Sequence, residues 1–159
     1  MRIAINISHE NLESFIRLAH SQSYANPDVP RVESTRLNSQ DYHYEQGDLV
    51  YHDTYFGGRD FIGEEIVYQK QTPIWGMNYH GYIVSPDANE HEFSTFLRLA
   101  LRQEDPTVLP IRGLQRFENG NSLYTLEVTG DLNRFVGVER IYQSSQLIYQ
   151  LYLHGGLIS

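Results

Sequence analysis

Apolar side chains recur along this chain with two periods. Leu12, Phe15, Ile16 and Ala19 fall at i, i+3, i+4 and i+7, which is one helical face. Phe93, Phe96, Leu97 and Ala100 outline a second such face. Ser8 is placed to cap the first helix, with Glu10 in its first turn, and Asp87 followed by Glu90 resembles a capping box for the second. Elsewhere the spacing shortens to the alternation of strands. These are expected at about 42–45, 49–56, 61–69 and 74–84, and again at about 114–118, 122–129, 135–142 and 147–158. Gln46-Gly47-Asp48 and Asn119-Gly120-Asn121 read as hairpin turns, because glycine readily supplies positive φ. Short connections favour antiparallel pairing. Met1 to Ile7 is too short and polar for a signal peptide and reads as a short strand.

The pattern repeats. Phe61-Ile62-Gly63-Glu64-Glu65-Ile66-Val67-Tyr68 aligns with Phe135-Val136-Gly137-Val138-Glu139-Arg140-Ile141-Tyr142 at a shift of 74. Tyr51 meets Tyr124 at a shift of 73, and Phe15 to Ala19 meets Phe96 to Ala100 at 81. The expected fold is therefore α+β. Duplicated α-β-β-β-β units, at about 8–84 and 87–159, form one antiparallel sheet with two helices in a single pseudo-two-fold symmetric domain over 1–159. The halves differ in one connection: Tyr24 to Asp41 is about eight residues longer than its counterpart. A long connection carrying Arg, Ser, Asn and Asp leans toward function.

Charge and composition narrow the partners. Twelve basic against 20 acidic side chains leave a net charge of −8, and Lys70 is the single lysine. A direct nucleic-acid binder needs a basic face, so nucleic acid is not an expected partner. No run of about 18 apolar residues exists to span a membrane. The absence of cysteine excludes a disulfide framework, thiolate-ligated metals and a thiol nucleophile. The expected location is the cytoplasm.

Strand alternation sorts the candidate chemistry onto faces. Glu65 shares a face with Phe61 and Val67, as Glu139 does with Phe135 and Ile141, so both carboxylates point inward and need a partner or a proton. Trp75, Met77 and Tyr79 look like core, which turns His80 outward with Asn78; His154 lies likewise with Tyr152. The repeated His-Gly pair lacks a metal-ligand spacing, so neither metal nor cofactor is expected. Tyr51, Asp53 and Tyr55 share a face, and Tyr-rich strands serve either as packing or as an aromatic cleft. Phe56-Gly57-Gly58-Arg59-Asp60 reads as a turn with neither phosphate-loop nor dinucleotide spacing.

Several segments in order resemble a bacterial domain family of unknown function, DUF5680. They are Asp41-Tyr42-His43-Tyr44-Glu45-Gln46-Gly47-Asp48, Tyr55-Phe56-Gly57-Gly58, Phe61-Ile62-Gly63-Glu64-Glu65, Pro73 to Tyr79 and His154-Gly155-Gly156-Leu157-Ile158. The likeness covers roughly 12–159. It implies that Ser34-x-Arg36-x-Asn38-Ser39-x-Asp41-Tyr42 belongs to the family pattern. It also implies a regulatory setting, since such domains often stand behind XRE-type helix-turn-helix domains. No DNA-reading helix pair is expected ahead of residue 12, so direct gene regulation is not expected of this chain.

The leading expectation is a small soluble ligand-binding or sensor module. Its site would combine Arg36, Asn38 and Asp41 with Asp53, Tyr55, Glu65, Trp75 and Asn78. Arg36 would clamp an anion, Glu65 would take a hydrogen bond or a cation, and Trp75 would form an apolar wall. The first half is favoured, because the second has Val138 and Tyr152 in place of Glu64 and Asn78. The alternatives are an enzyme using Glu65 or Asp53 as acid or base, and an interaction module with a Tyr-rich docking face, for which a homodimer is one form.

Overall fold

The computed structural model describes residues 7–159. The strand read at Met1 to Ile7 therefore lies, apart from Ile7, outside the described residues. The element order is α1 (His9–Ser21), β1 (Gln40–Gln46), β2 (Leu49–Gly57), β3 (Asp60–Gln69), β4 (Thr72–Ile83), α2 (Glu90–Leu101), β5 (Arg116–Asn119), β6 (Ser122–Asp131), β7 (Arg134–Gln143) and β8 (Gln146–Leu157). One eight-stranded antiparallel sheet runs β1-β2-β3-β4-β8-β7-β6-β5. The fold class is α+β with two helices.

Each helix starts where its sequence offers a cap. Ser8 accepts a hydrogen bond from the Asn11 backbone N–H at 3.2 Å. The second cap is Asn89 and not Asp87. The Asn89 side chain accepts from the N–H groups of His91 and Glu92, at 3.0 and 3.1 Å, so the helix opens two residues further on. The β3–β4 and β7–β8 hairpins turn through Lys70-Gln71 and Ser144-Ser145, all four at positive φ, with no glycine to ease the conformation.

Both helices lie on one face of the sheet. Leu12, Phe15, Ile16 and Ala19 of α1, with Phe93, Leu97 and Ala100 of α2, bury against inward side chains of the strands, among them Tyr51, Val67, Trp75, Met77, Tyr124, Tyr149 and Leu151. Phe96 is only half-buried. Among the described residues the opposite face carries no helix, and Ile62, Val136 and Tyr152 stand exposed on it.

β5 begins at Arg116, two residues later than the alternation predicts. The preceding segment is drawn inward instead. Ile111 is fully buried, the Gly113 N–H donates to Tyr124 Oη (3.1 Å), and Arg112 is carried under the sheet.

Candidate functional site

Two carboxylates on neighbouring strands face each other beneath the helices. Asp53 of β2 is the direct cross-strand partner of Glu65 of β3, and both are buried on the inner face. Like charges in that position destabilise a sheet. At the matching place in the second half, Glu139 pairs across the strands with Leu126.

The two glutamates are satisfied differently. Glu139 accepts a two-pronged contact from Arg112, Nε to Oε2 at 3.0 Å and Nη2 to Oε1 at 2.9 Å. It also accepts from Tyr124 Oη (2.6 Å) and Tyr149 Oη (2.8 Å). Four donors complete that carboxylate, which makes it a structural ion pair. Glu65 instead meets His20 of α1, whose Nε2 lies 2.6 Å from Oε2.

Asp53 is the incomplete member. Among the described residues its carboxylate has one hydrogen bond, accepted at Oδ1 from Tyr79 Oη (2.7 Å). Burial first, and then the nearby Glu65 charge, push its pKa up to about 8, against the lowering effects of Tyr79 and Arg112. Both effects favour the protonated carboxyl over the carboxylate. Gly63 makes the Tyr79 contact feasible. The Tyr79 ring lies over it so closely that an added Cβ would sit 2.5 Å from the hydroxyl. Burial also raises the pKa of Tyr51 and Tyr79 well above the ordinary tyrosine value, with the Asp53 and Glu65 charges reinforcing it.

Asp53 faces a cavity of about 420 Å³ between the sheet and α2. Its apolar walls include Tyr24, Tyr55, Phe61 and Phe93, and Arg31, Arg98 and Arg112 also line it. Arg98 stacks over the Tyr24 ring, 4.2 Å from its centroid, and donates to the Tyr24 carbonyl. Arg31 donates to Tyr55 Oη at 3.1 Å. Among the described residues neither Arg31 nor Arg98 has a carboxylate partner, whereas Arg112 is neutralised by Glu139. A protein with net charge −8 thus turns two unpaired guanidinium groups toward one hollow. Glu65 lies one step deeper, lining a small void with His20, Ser23, Tyr51 and Asp53.

The eight residues expected to form one site fall into three places. Asp53, Tyr55 and Glu65 come together on the inner face. Trp75 is fully buried in the core, stacked on Phe135, and lines neither of these spaces. Arg36, Asn38, Asp41 and Asn78 lie elsewhere. Asp41, Thr54, Glu64 and Asn78 are successive cross-strand partners and face away from Asp53 and Glu65. Arg36 pairs there with Glu64 at 2.6 Å, while Asn38 takes a turn position at φ 59°. Strand parity separates them, since residues one apart point to opposite faces.

Asp41 organises the long connection. It accepts from Ser39 Oγ (2.5 Å), Thr35 Oγ1 (2.6 Å), His52 Nε2 (2.6 Å) and Thr54 Oγ1 (2.9 Å), and a bridge between Val32 and Asp41 ties the segment down. Burial works to raise its pKa, but these four contacts outweigh it and hold the group well below the usual carboxylate range. Asp41→Asn should cost about 1–3 kcal/mol at neutral pH, because donors lose a charged acceptor. A depressed folded pKa gives stability that is present above the ordinary aspartate value and lost as pH falls below it. The gap between wild type and variant in urea unfolding should therefore narrow below about pH 4.

Sequence reasoning missed His20, Tyr24, Arg31, Arg98 and Arg112. The repeat held a signal for part of this set. At the shifts already noted, His20, Asp53 and Tyr79 stand where the second half has Leu101, Leu126 and Leu153. Three polar-for-leucine differences on inward positions mark the first-half hollow. No three His, Asp or Glu side chains converge as a metal cage among the described residues, and no helix there is long and apolar enough to cross a membrane.

Fold and cavity together define an α+β domain with a partly charged pocket between its sheet and α2. The chain belongs to the family described as a domain of unknown function, DUF5680, whose sequence profile matches residues 53–158. The match takes in Asp53, Tyr55, Glu65, Tyr79 and Arg112 and excludes α1 and the long connection. No curated protein and no solved structure matches the chain.

Proposed function

We propose that this chain is a small-molecule binding module, a sensor-type domain of a bacterial regulatory system acting in the cytoplasm, whose inner cavity takes a compact amphipathic anion. One observation carries the reading: a buried carboxyl with an uncommitted oxygen, Asp53, faces a hollow walled by aromatic rings and by two guanidinium groups that have no acidic partner among the described residues. The cavity volume falls within the range typical of ligand sites, roughly 300–1,000 Å³. An aromatic body suits Tyr24, Tyr55 and Phe61, and a carboxylate or sulfonate suits Arg31 and Arg98. A hydrogen-bond acceptor at the inner end suits the Asp53 proton. The halves are read as copies of one module related by a pseudo-two-fold axis. In this reading leucines close the second pocket, and Arg112 is locked there on Glu139.

ANS, an aromatic sulfonate, and a panel of aromatic carboxylates test the proposal by fluorescence titration and competition. Wild type should bind one ANS per chain, displaced by at least one carboxylate. Arg98→Met and Asp53→Leu should each weaken binding about tenfold or more, the loss of one charge-assisted hydrogen bond. Arg36→Ala, on the opposite face, should leave it unchanged. Equal binding by all four proteins would overturn the proposal.

The same buried Asp53 carboxyl favours one second reading, general-acid chemistry on a bound substrate. Consumption of a cavity ligand, abolished in Asp53→Asn, would separate catalysis from binding.

A further inference from the structure

The cavity does not end at Asp53. Behind it lies a void of about 20 Å³, and Tyr24, Asp53 and Arg112 line both spaces. A water-sized group needs roughly 10–15 Å³, so the void has room for a single oxygen and none for a ring or a carboxylate. Its polar wall is made by His20, Ser23, Tyr51, Asp53 and Glu65.

That wall sets what the oxygen must be. Asp53 and Glu65 are direct cross-strand partners, only 4% and 3% exposed. Two buried carboxyls at such neighbouring positions repel when both are ionised, and one proton between them relieves the pair. The pair then presents a donor and an acceptor, whichever oxygen the proton sits on. Each carboxyl has one partner on its far side: His20 Nε2 lies 2.6 Å from Glu65 Oε2, and Tyr79 Oη donates to Asp53 Oδ1 at 2.7 Å. Asp53 Oδ2 has no hydrogen bond among the described residues. A group that completes this wall accepts from one carboxyl and donates to the other. A carbonyl or an ether only accepts, and an ammonium only donates; a hydroxyl does both. The second half offers no such wall, since Leu126 stands at the place of Asp53 and four donors already complete Glu139.

We propose that the cavity is specific for an aromatic acid that carries a hydroxyl at the end remote from its carboxylate. The inference rests on the reading of the cavity as an anion site and names the ligand class. The carboxylate sits at Arg31 and Arg98, the ring lies among Tyr24, Tyr55 and Phe61, and the hydroxyl enters the void between Asp53 and Glu65. The reverse orientation sets the ligand's charge against two buried acids. Arg112 does not draw the carboxylate inward, because Glu139 holds it through two hydrogen bonds.

Competition against ANS on the full chain tests this with three acids of one shape: para-hydroxyphenylacetate, its para-methyl isostere and its para-methoxy ether. Wild type should bind the hydroxyl acid about tenfold or more tighter than the methyl one, the worth of a hydrogen bond to a charged group. The ether accepts but cannot donate, so it should bind no better than the methyl acid. Asp53→Leu, which installs the residue found at the matching place in the second half, should bind the hydroxyl and methyl acids alike. Thermal unfolding checks that this variant folds, and the ether comparison needs no variant. Equal binding of the hydroxyl and methyl acids by wild type, an ether that matches the hydroxyl acid, a preference that survives Asp53→Leu, or bound ANS that none of the three displaces would each overturn the inference alone. Failure of ANS and of all three acids to bind would overturn the anion site itself, and the inference with it.

Discussion

Arg112→Ala should destabilise the protein by about 3–5 kcal/mol, the range seen when one partner of a buried ion pair is removed. The loss comes from what is left behind. Glu139 is fully buried, and Arg112 supplies two of the four hydrogen bonds that complete it. Without the guanidinium the charge keeps only two phenolic donors. Glu139→Gln combined with Arg112→Met should recover much of the loss, because the uncompensated charge is gone. Urea denaturation of the wild type and these two variants gives the comparison. A deficit under about 1 kcal/mol for Arg112→Ala would mean that the pair contributes no more than a surface contact.

Asp53→Asn should make the protein more stable, and increasingly so as pH rises. The folded-state pKa of Asp53 is raised, to about 8, by burial and by Glu65. A group raised in this way gives stability that is fully present below its unfolded value and lost as pH climbs through the folded one. The wild type should therefore lose stability between about pH 4 and pH 8, by at most ~1.4 kcal/mol per pH unit from this group. Asparagine cannot ionise, and its side-chain oxygen still accepts from Tyr79. The stability difference should widen across that window and level off above it. Unfolding curves near pH 5, 7 and 9 read this directly, and a difference independent of pH would show that Asp53 is charged throughout.

Much of this architecture is legible in the residues themselves. Helical spacing placed α1 and α2, and alternation placed all eight strands to within a few residues, because each buries one face only. The same alternation turned Glu65 and Glu139 inward. The candidate site is harder to read because its parts meet across long stretches of chain. Arg112 reaches Glu139 from 27 residues away, and Arg98 reaches the Tyr24 carbonyl from 74. No local pattern encodes such meetings. The grouping of Arg36, Asn38, Asp41 and Asn78 with Asp53 illustrates the complementary difficulty. Their chemistry invites a shared site, but Asp41 and Asp53 sit on opposite sides of the sheet, and parity along a strand outranks the likeness of their side chains.

The sheet's two rims make poor templates for stacking. Along the outer margin of β1, Asp41 already spends its backbone carbonyl on Val32 at 2.9 Å, so an arriving strand finds that position taken. At the other margin β5 is four residues long and carries the oppositely charged, exposed Arg116 and Glu118. Short, charged or pre-paired borders are how β proteins avoid growing into ribbons. Both borders thus disfavour strand addition from a second molecule, although among the described residues no helix covers one side of the broad sheet.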